Sequence, residues 1–140
     1  MEFQGVPIGD AFQALPSHVQ LWLNWINLAT LAGVVFLGMR EAWILILAFF
    51  ASFPLGIWIY GQVGLNHPLS GISHVVFWLP AVWFVGRRMR RVGWKGYDGW
   101  YRKAGFVWAS VVVATFLASN AFDVLNLLRF LVLDDPGPRI

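Results

Sequence analysis

The chain of 140 residues contains no cysteine. Disulfides, thiolate metal ligands and a cysteine nucleophile are therefore excluded. Charge is scarce too. Asp, Glu, Lys and Arg make up 12% of the residues, against about 25% in an ordinary soluble domain. The opening MEFQGVPIGD holds no Lys or Arg, so it lacks the basic start of a cleavable signal and the first apolar run is expected to be a retained span. Catalytic motifs are missing as well. There is no serine elbow, no His-x-x-x-His pair and no phosphate loop, so no catalytic residue and no enzymatic activity are expected. Internal repeats and low-complexity segments are also absent.

Apolar residues are abundant. They make up 59% of the chain, with nine tryptophans and twelve phenylalanines. They gather in continuous runs near residues 19–38, 42–61, 70–86 and 105–126. A helix of about 20 residues crosses about 30 Å of hydrocarbon. The runs do not alternate apolar with polar residues, which argues against a β-barrel. The expected fold is an all-α integral membrane protein, a single domain of four transmembrane helices in an antiparallel bundle. Segments 8–16 and 124–133 are candidate interfacial pieces.

Basic residues are concentrated in one place. Between 87 and 104 stand Arg87, Arg88, Arg90, Arg91, Lys95, Arg102 and Lys103 against Asp98, a net +6 in a chain whose total is +3. The positive-inside rule puts this loop in the cytoplasm and both termini outside. Multi-pass insertion in a plasma membrane, of bacterial inner-membrane type, is the expected location. Trp94, Tyr97, Trp100 and Tyr101 interleave with the bases. Beside two spans this pattern reads as a belt against anionic headgroups, not as a nucleic-acid surface. Membrane lipid is thus an expected partner and nucleic acid is not.

Local signals mark the elements. Asp10 is a candidate cap of a short interfacial helix ended by Pro16, and SHVQ at Ser17–Gln20 has the form of a capping box. Trp22 and Trp25 then fall in the outer aromatic belt. The tripeptide MRE, Met39–Glu41, reads as a tight inner turn. Pro54 and Pro80 are expected to bend the second and third spans, with Ser52 serving a freed carbonyl. Small-residue rows, Ala29 with Gly33 and Ser110 with Ala114 and Ala118, suit close helix contact.

Polar residues inside the spans point to a candidate site. Gln20, Asn24 and Asn27 form a stripe on the first span, and Thr115, Ser119, Asp123 and Asn126 form one on the fourth, with Asn120 beside it. Ser73 and His74 start the third. All lie toward the outer side. Intramembrane ionisable groups are costly, about 2.5–3.5 kcal/mol each, and are functional candidates by default. A His74–Asp123 pair is the cheapest arrangement, and Arg129 is an alternative partner for Asp123. A competing reading sets Asp123 at the outer interface, capping a separate surface helix over 124–133. His67 and His74, with His18 also outside, are weak candidates for haem or metal ligation.

In length and span count the chain resembles small multidrug transporters. It lacks their membrane-embedded glutamate, since Glu41 falls in the predicted turn. The glycine and arginine signature of fluoride channels is absent from the first span. The leading functional reading is a non-catalytic accessory or scaffold subunit, packing against itself or another membrane chain. The alternative is an oligomeric channel or transporter with a polar outer vestibule. A second alternative is a haem- or metal-binding redox subunit.

Overall fold

Lipid offers the backbone no hydrogen-bond partner, so each apolar run closes its own bonds as a helix. The computed structural model describes residues 2–3, 6–64 and 67–133, with the side chains at 2, 3, 6 and 8 left aside. A short antiparallel pairing of β1 (Glu2–Phe3) with β2 (Val6–Pro7) leads into α1 (Ile8–Gln13). Next come α2 (Ser17–Leu31), which a 3-10 stretch carries on to Phe36, and α3 (Arg40–Val63). A 3-10 turn over Pro68–Gly71 precedes α4 (Ile72–Val92), and α5 runs over Gly99–Leu133. Four helical stretches among the described residues are long and apolar enough to cross a membrane, and this is a multi-pass, all-helical membrane fold.

Helix α4 is the centre of the bundle, packed chiefly against α3 and α5, while α2 lies along α5. The core is apolar and rich in aromatic side chains. Leu45, Val85, Val112 and Phe116 are fully buried, with Trp78 and Phe49 beside them. Trp78 stacks on Phe116 at 4.2 Å between ring centroids.

The helices extend past the apolar runs. Helix α4 continues to Val92, where Gly93 at φ +66 turns the chain and its N–H bonds back to Met89. Arg87, Arg88, Arg90 and Arg91 therefore stand on the last turns of α4, and Arg102 and Lys103 on the first of α5. The expected loop 87–104 shrinks to residues 93–98. Cations on the last turn suit the negative end of the α4 dipole. The MRE turn is displaced likewise. Met39 is the N-cap, and Arg40 and Glu41 already belong to α3. At the other end α5 is unbroken to Leu133, so 124–133 is its terminal stretch and not a separate surface helix.

Three smaller expectations are corrected: the caps of α1 and of α2, and the carbonyl that Ser52 serves. Pro7, not Asp10, caps α1, and Asp10 sits within its first turn. Pro16 caps α2 without a side-chain bond. Gln20, the last member of the supposed capping box, instead donates to the carbonyls of Gln13 and Leu15, which the end of α1 leaves open. Helices α3 and α4 continue through Pro54 and Pro80. Ser52 donates to the Phe49 carbonyl at 2.6 Å, one residue short of the Phe50 carbonyl that Pro54 deprives of its donor.

The row of Ala29 and Gly33 receives a side chain, not a helix backbone. Trp108 of α5 lies over Gly33, and its Nε1–H donates to the Ala29 carbonyl at 2.7 Å. On the opposite side of α5, Ser110 and Ala114 line an open 880 Å3 groove against α4.

Candidate functional site

Ionisable side chains meet inside the bundle at both of its ends. At the end away from the basic cluster, His74 on the first turn of α4 faces Asp123 on α5, with Nδ1 2.9 Å from Oδ2. A carboxylate only accepts, so the imidazole Nδ1–H is the donor in that bond. Each side chain keeps 22% of its surface exposed, so the pair is packed yet reachable. The imidazole also stacks on Trp78 at 4.1 Å, which continues the Trp78–Phe116 column.

Gly71 makes room for this pair. A Cβ at this position would lie 2.5 Å from the Asp123 carboxyl carbon. Gly71→Ala is therefore expected to push Asp123 off His74 and to cost about 1–3 kcal/mol by overpacking. Gly61→Ala is the control. It sits on an exposed face of α3 with nothing within 4 Å, so removing a helical glycine there is expected to stabilise by about 0.5–1 kcal/mol. Thermal unfolding in detergent should show shifts of opposite sign. Equal shifts would mean that Gly71 is not a spacer for the pair.

The other polar residues of the apolar runs do not converge on this pair. Ser119 and Thr115 of α5 accept the indole N–H groups of Trp22 and Trp25 on α2, at 3.0 and 3.1 Å. Asn120 is buried and donates to the Phe116 carbonyl of its own helix at 2.8 Å. Asn126 is partly buried and Arg129 exposed, and the ion pair of Asp123 is with His74. Asn24 and Asn27 are exposed on the outside of α2, turned away from the α5 stripe. His18 is exposed at the start of α2. His67 caps the 3-10 turn by accepting the Leu69 N–H at Nδ1, and its ring meets the edge of Phe130. Among the described residues no three His, Asp or Glu side chains are grouped to hold a metal ion.

The second pair, at the basic end, was not foreseen. Glu41 is only 3% exposed. Its Oε1 accepts from Arg88 Nε at 2.8 Å and from the Tyr97 hydroxyl at 2.6 Å. This joins the start of α3, the end of α4 and the 93–98 connection. Burial, and then the bond to Glu41, push the Tyr97 phenol above its ordinary value, so it keeps the proton it donates. The signal lay in the sequence as a lone acid between apolar runs and opposite a net +6 segment. Assigning Glu41 to a turn hid it.

Searches of protein families, curated proteins and solved structures find no match to this chain.

Proposed function

We propose that this membrane protein is a non-catalytic accessory or scaffold subunit that docks on a second membrane chain, a copy of itself or a foreign one, through the outer face of α2. The observation that carries this is the exposure of Asn24 and Asn27. They lie about 10 and 15 Å along α2, at hydrocarbon depth, and share a face with exposed Leu28 and Leu31. An amide left in lipid is unfavourable, and a neighbouring helix relieves it by hydrogen bonding. The inner face of α2 is already committed, through Trp22, Trp25 and Ala29, to α5.

The vestibule reading has less support. Two members of the polar stripe on α5 are taken up by tryptophans, and the stripe on α2 points the other way. The haem reading also has less support, since His67 and His74 each serve a local partner; no cofactor is proposed. The clustering of bases at one end supports an orientation with that end in the cytoplasm, both termini outside, in a membrane of bacterial inner-membrane type.

The test is the double variant Asn24→Leu/Asn27→Leu. Hydrogen bonds between membrane helices are worth about 0.6 kcal/mol each. Association measured by native mass spectrometry from mild detergent should weaken roughly five- to tenfold. An unchanged assembly, or a wild type that is monomeric in lipid, would refute the docking face. Whether the retained partner is this chain or another separates a homo-oligomer from an accessory subunit.

A further inference from the structure

We propose that the cleft between α3 and α4 at the basic end is a binding site for one anionic phospholipid, its phosphate among the arginines and its acyl chains over the aromatic wall. The cleft measures 350 Å3 and is lined by Arg40, Arg87, Arg88 and Arg91. Small-ligand clefts begin at about 300 Å3. Among the described residues no acidic one lines it. Among the described residues only Arg88 of the four is in an ion pair, with Glu41. Arg40, Arg87 and Arg91 thus bring like charges to one opening, and a bound anion relieves their repulsion.

The chemistry fits a phosphate diester on a lipid. Guanidinium forks bind phosphate oxygens in pairs. Arg87 is held in place by its position over the Trp83 ring, 5.2 Å from the centroid. About one helical turn from the arginines, toward the middle of α3 and α4, the lining is Ile44, Trp83 and Phe84. Trp83 and Phe84 are more than half exposed, on a face that meets hydrocarbon. A free phosphate would leave that wall uncovered, whereas acyl chains cover it. Positive-inside topology alone does not require convergence. Lys95, Arg102 and Lys103 supply charge at the same end without lining the cleft.

The test compares two charge-matched variants of the full chain. The first is Arg40→Gln/Arg87→Gln/Arg91→Gln, which leaves Arg88 on Glu41. The second is Arg90→Gln/Arg102→Gln/Lys103→Gln. Binding of phosphatidylglycerol and of phosphatidylcholine is measured by native mass spectrometry after delipidation. One basic side chain near a membrane surface contributes about fivefold in affinity. The first variant should therefore lose roughly a hundredfold of its phosphatidylglycerol binding, while the second keeps most of it. Equal losses in both would show a diffuse surface field, and no loss in either would show no site; both outcomes overturn the proposal. So would displacement of the lipid by inorganic phosphate at millimolar concentration. Should the first variant fail to fold, Arg87→Lys/Arg91→Lys keeps the charge and removes the forks. It should bind roughly tenfold more weakly, and full retention overturns the site.

Discussion

Replacing Arg88 by leucine is expected to destabilise the bundle by about 3 kcal/mol, and adding Glu41→Leu is expected to restore most of that loss. The asymmetry follows from where the two charges sit. The Glu41 side chain is 3% exposed and that of Arg88 46%. Removing the guanidinium leaves the buried carboxylate without its counter-charge, held by the Tyr97 hydroxyl and a backbone N–H. Removing both takes away the buried charge and leaves the Tyr97 hydroxyl as the polar group without its acceptor. The cost belongs at the low end of the range for broken buried pairs, because Arg88 is half in water. Thermal unfolding of the two single variants and the double gives the coupling directly. A double variant no more stable than Arg88→Leu would show that the stranded carboxylate is not the cause. The measurement belongs below pH 10. The phenol is raised above its ordinary 10.0, so its contribution is whole below that value and fades as the pH climbs past it toward the folded pKa.

The second large effect is expected from Phe116→Ala, again about 3 kcal/mol. Phe116 is fully buried and forms the floor of the column on which Trp78 and then His74 stack. Truncating a core phenylalanine in a water-soluble protein costs about 3–5 kcal/mol. Here the unfolded helices remain in lipid, so the transfer from water contributes little and the lost van der Waals contacts dominate. The low end of the range applies. Near-ultraviolet circular dichroism should lose the signal of the stacked Trp78, and Asp123 should become more accessible to carbodiimide labelling as His74 loosens. A stable variant with unchanged labelling would mean that the column does not position the pair.

The four spans were readable because hydrocarbon leaves a continuous apolar run no structure but a helix. Their ends were not. The apolar pattern stops at Arg87, but the backbone bonds of α4 continue to Val92, since long arginine side chains reach water while their stems stay along the helix. The pairing of His74 with Asp123 was approached through depth, as both stood early or late in oppositely directed spans. The stripes misled in a different way. Periodicity shows that Asn24 and Asn27 share a face, as do Thr115 and Ser119, but not that the two faces are turned apart. The intervening Trp22 and Trp25 took the side toward α5 because an indole carries both apolar area and an N–H that needs an acceptor. Glu41 and Arg88 are 47 positions apart, and neither local propensity nor spacing records such a pair.

The three indole bonds between α2 and α5 span 97, 90 and 79 residues of sequence. A ribosome adds roughly 5–20 residues per second, so α2 is made some 5–20 s before its bonding partners on α5. During that interval Trp22 and Trp25 have no Ser119 or Thr115 to reach, and Gly33 has no Trp108 to cover it. The α3–α4–α5 core can close through contacts formed in chain order, but the seat of α2 cannot be completed until α5 is in the membrane. Helix α2 is thus made before α5 but fastened only after it, and its asparagine face is exposed to another chain during that interval.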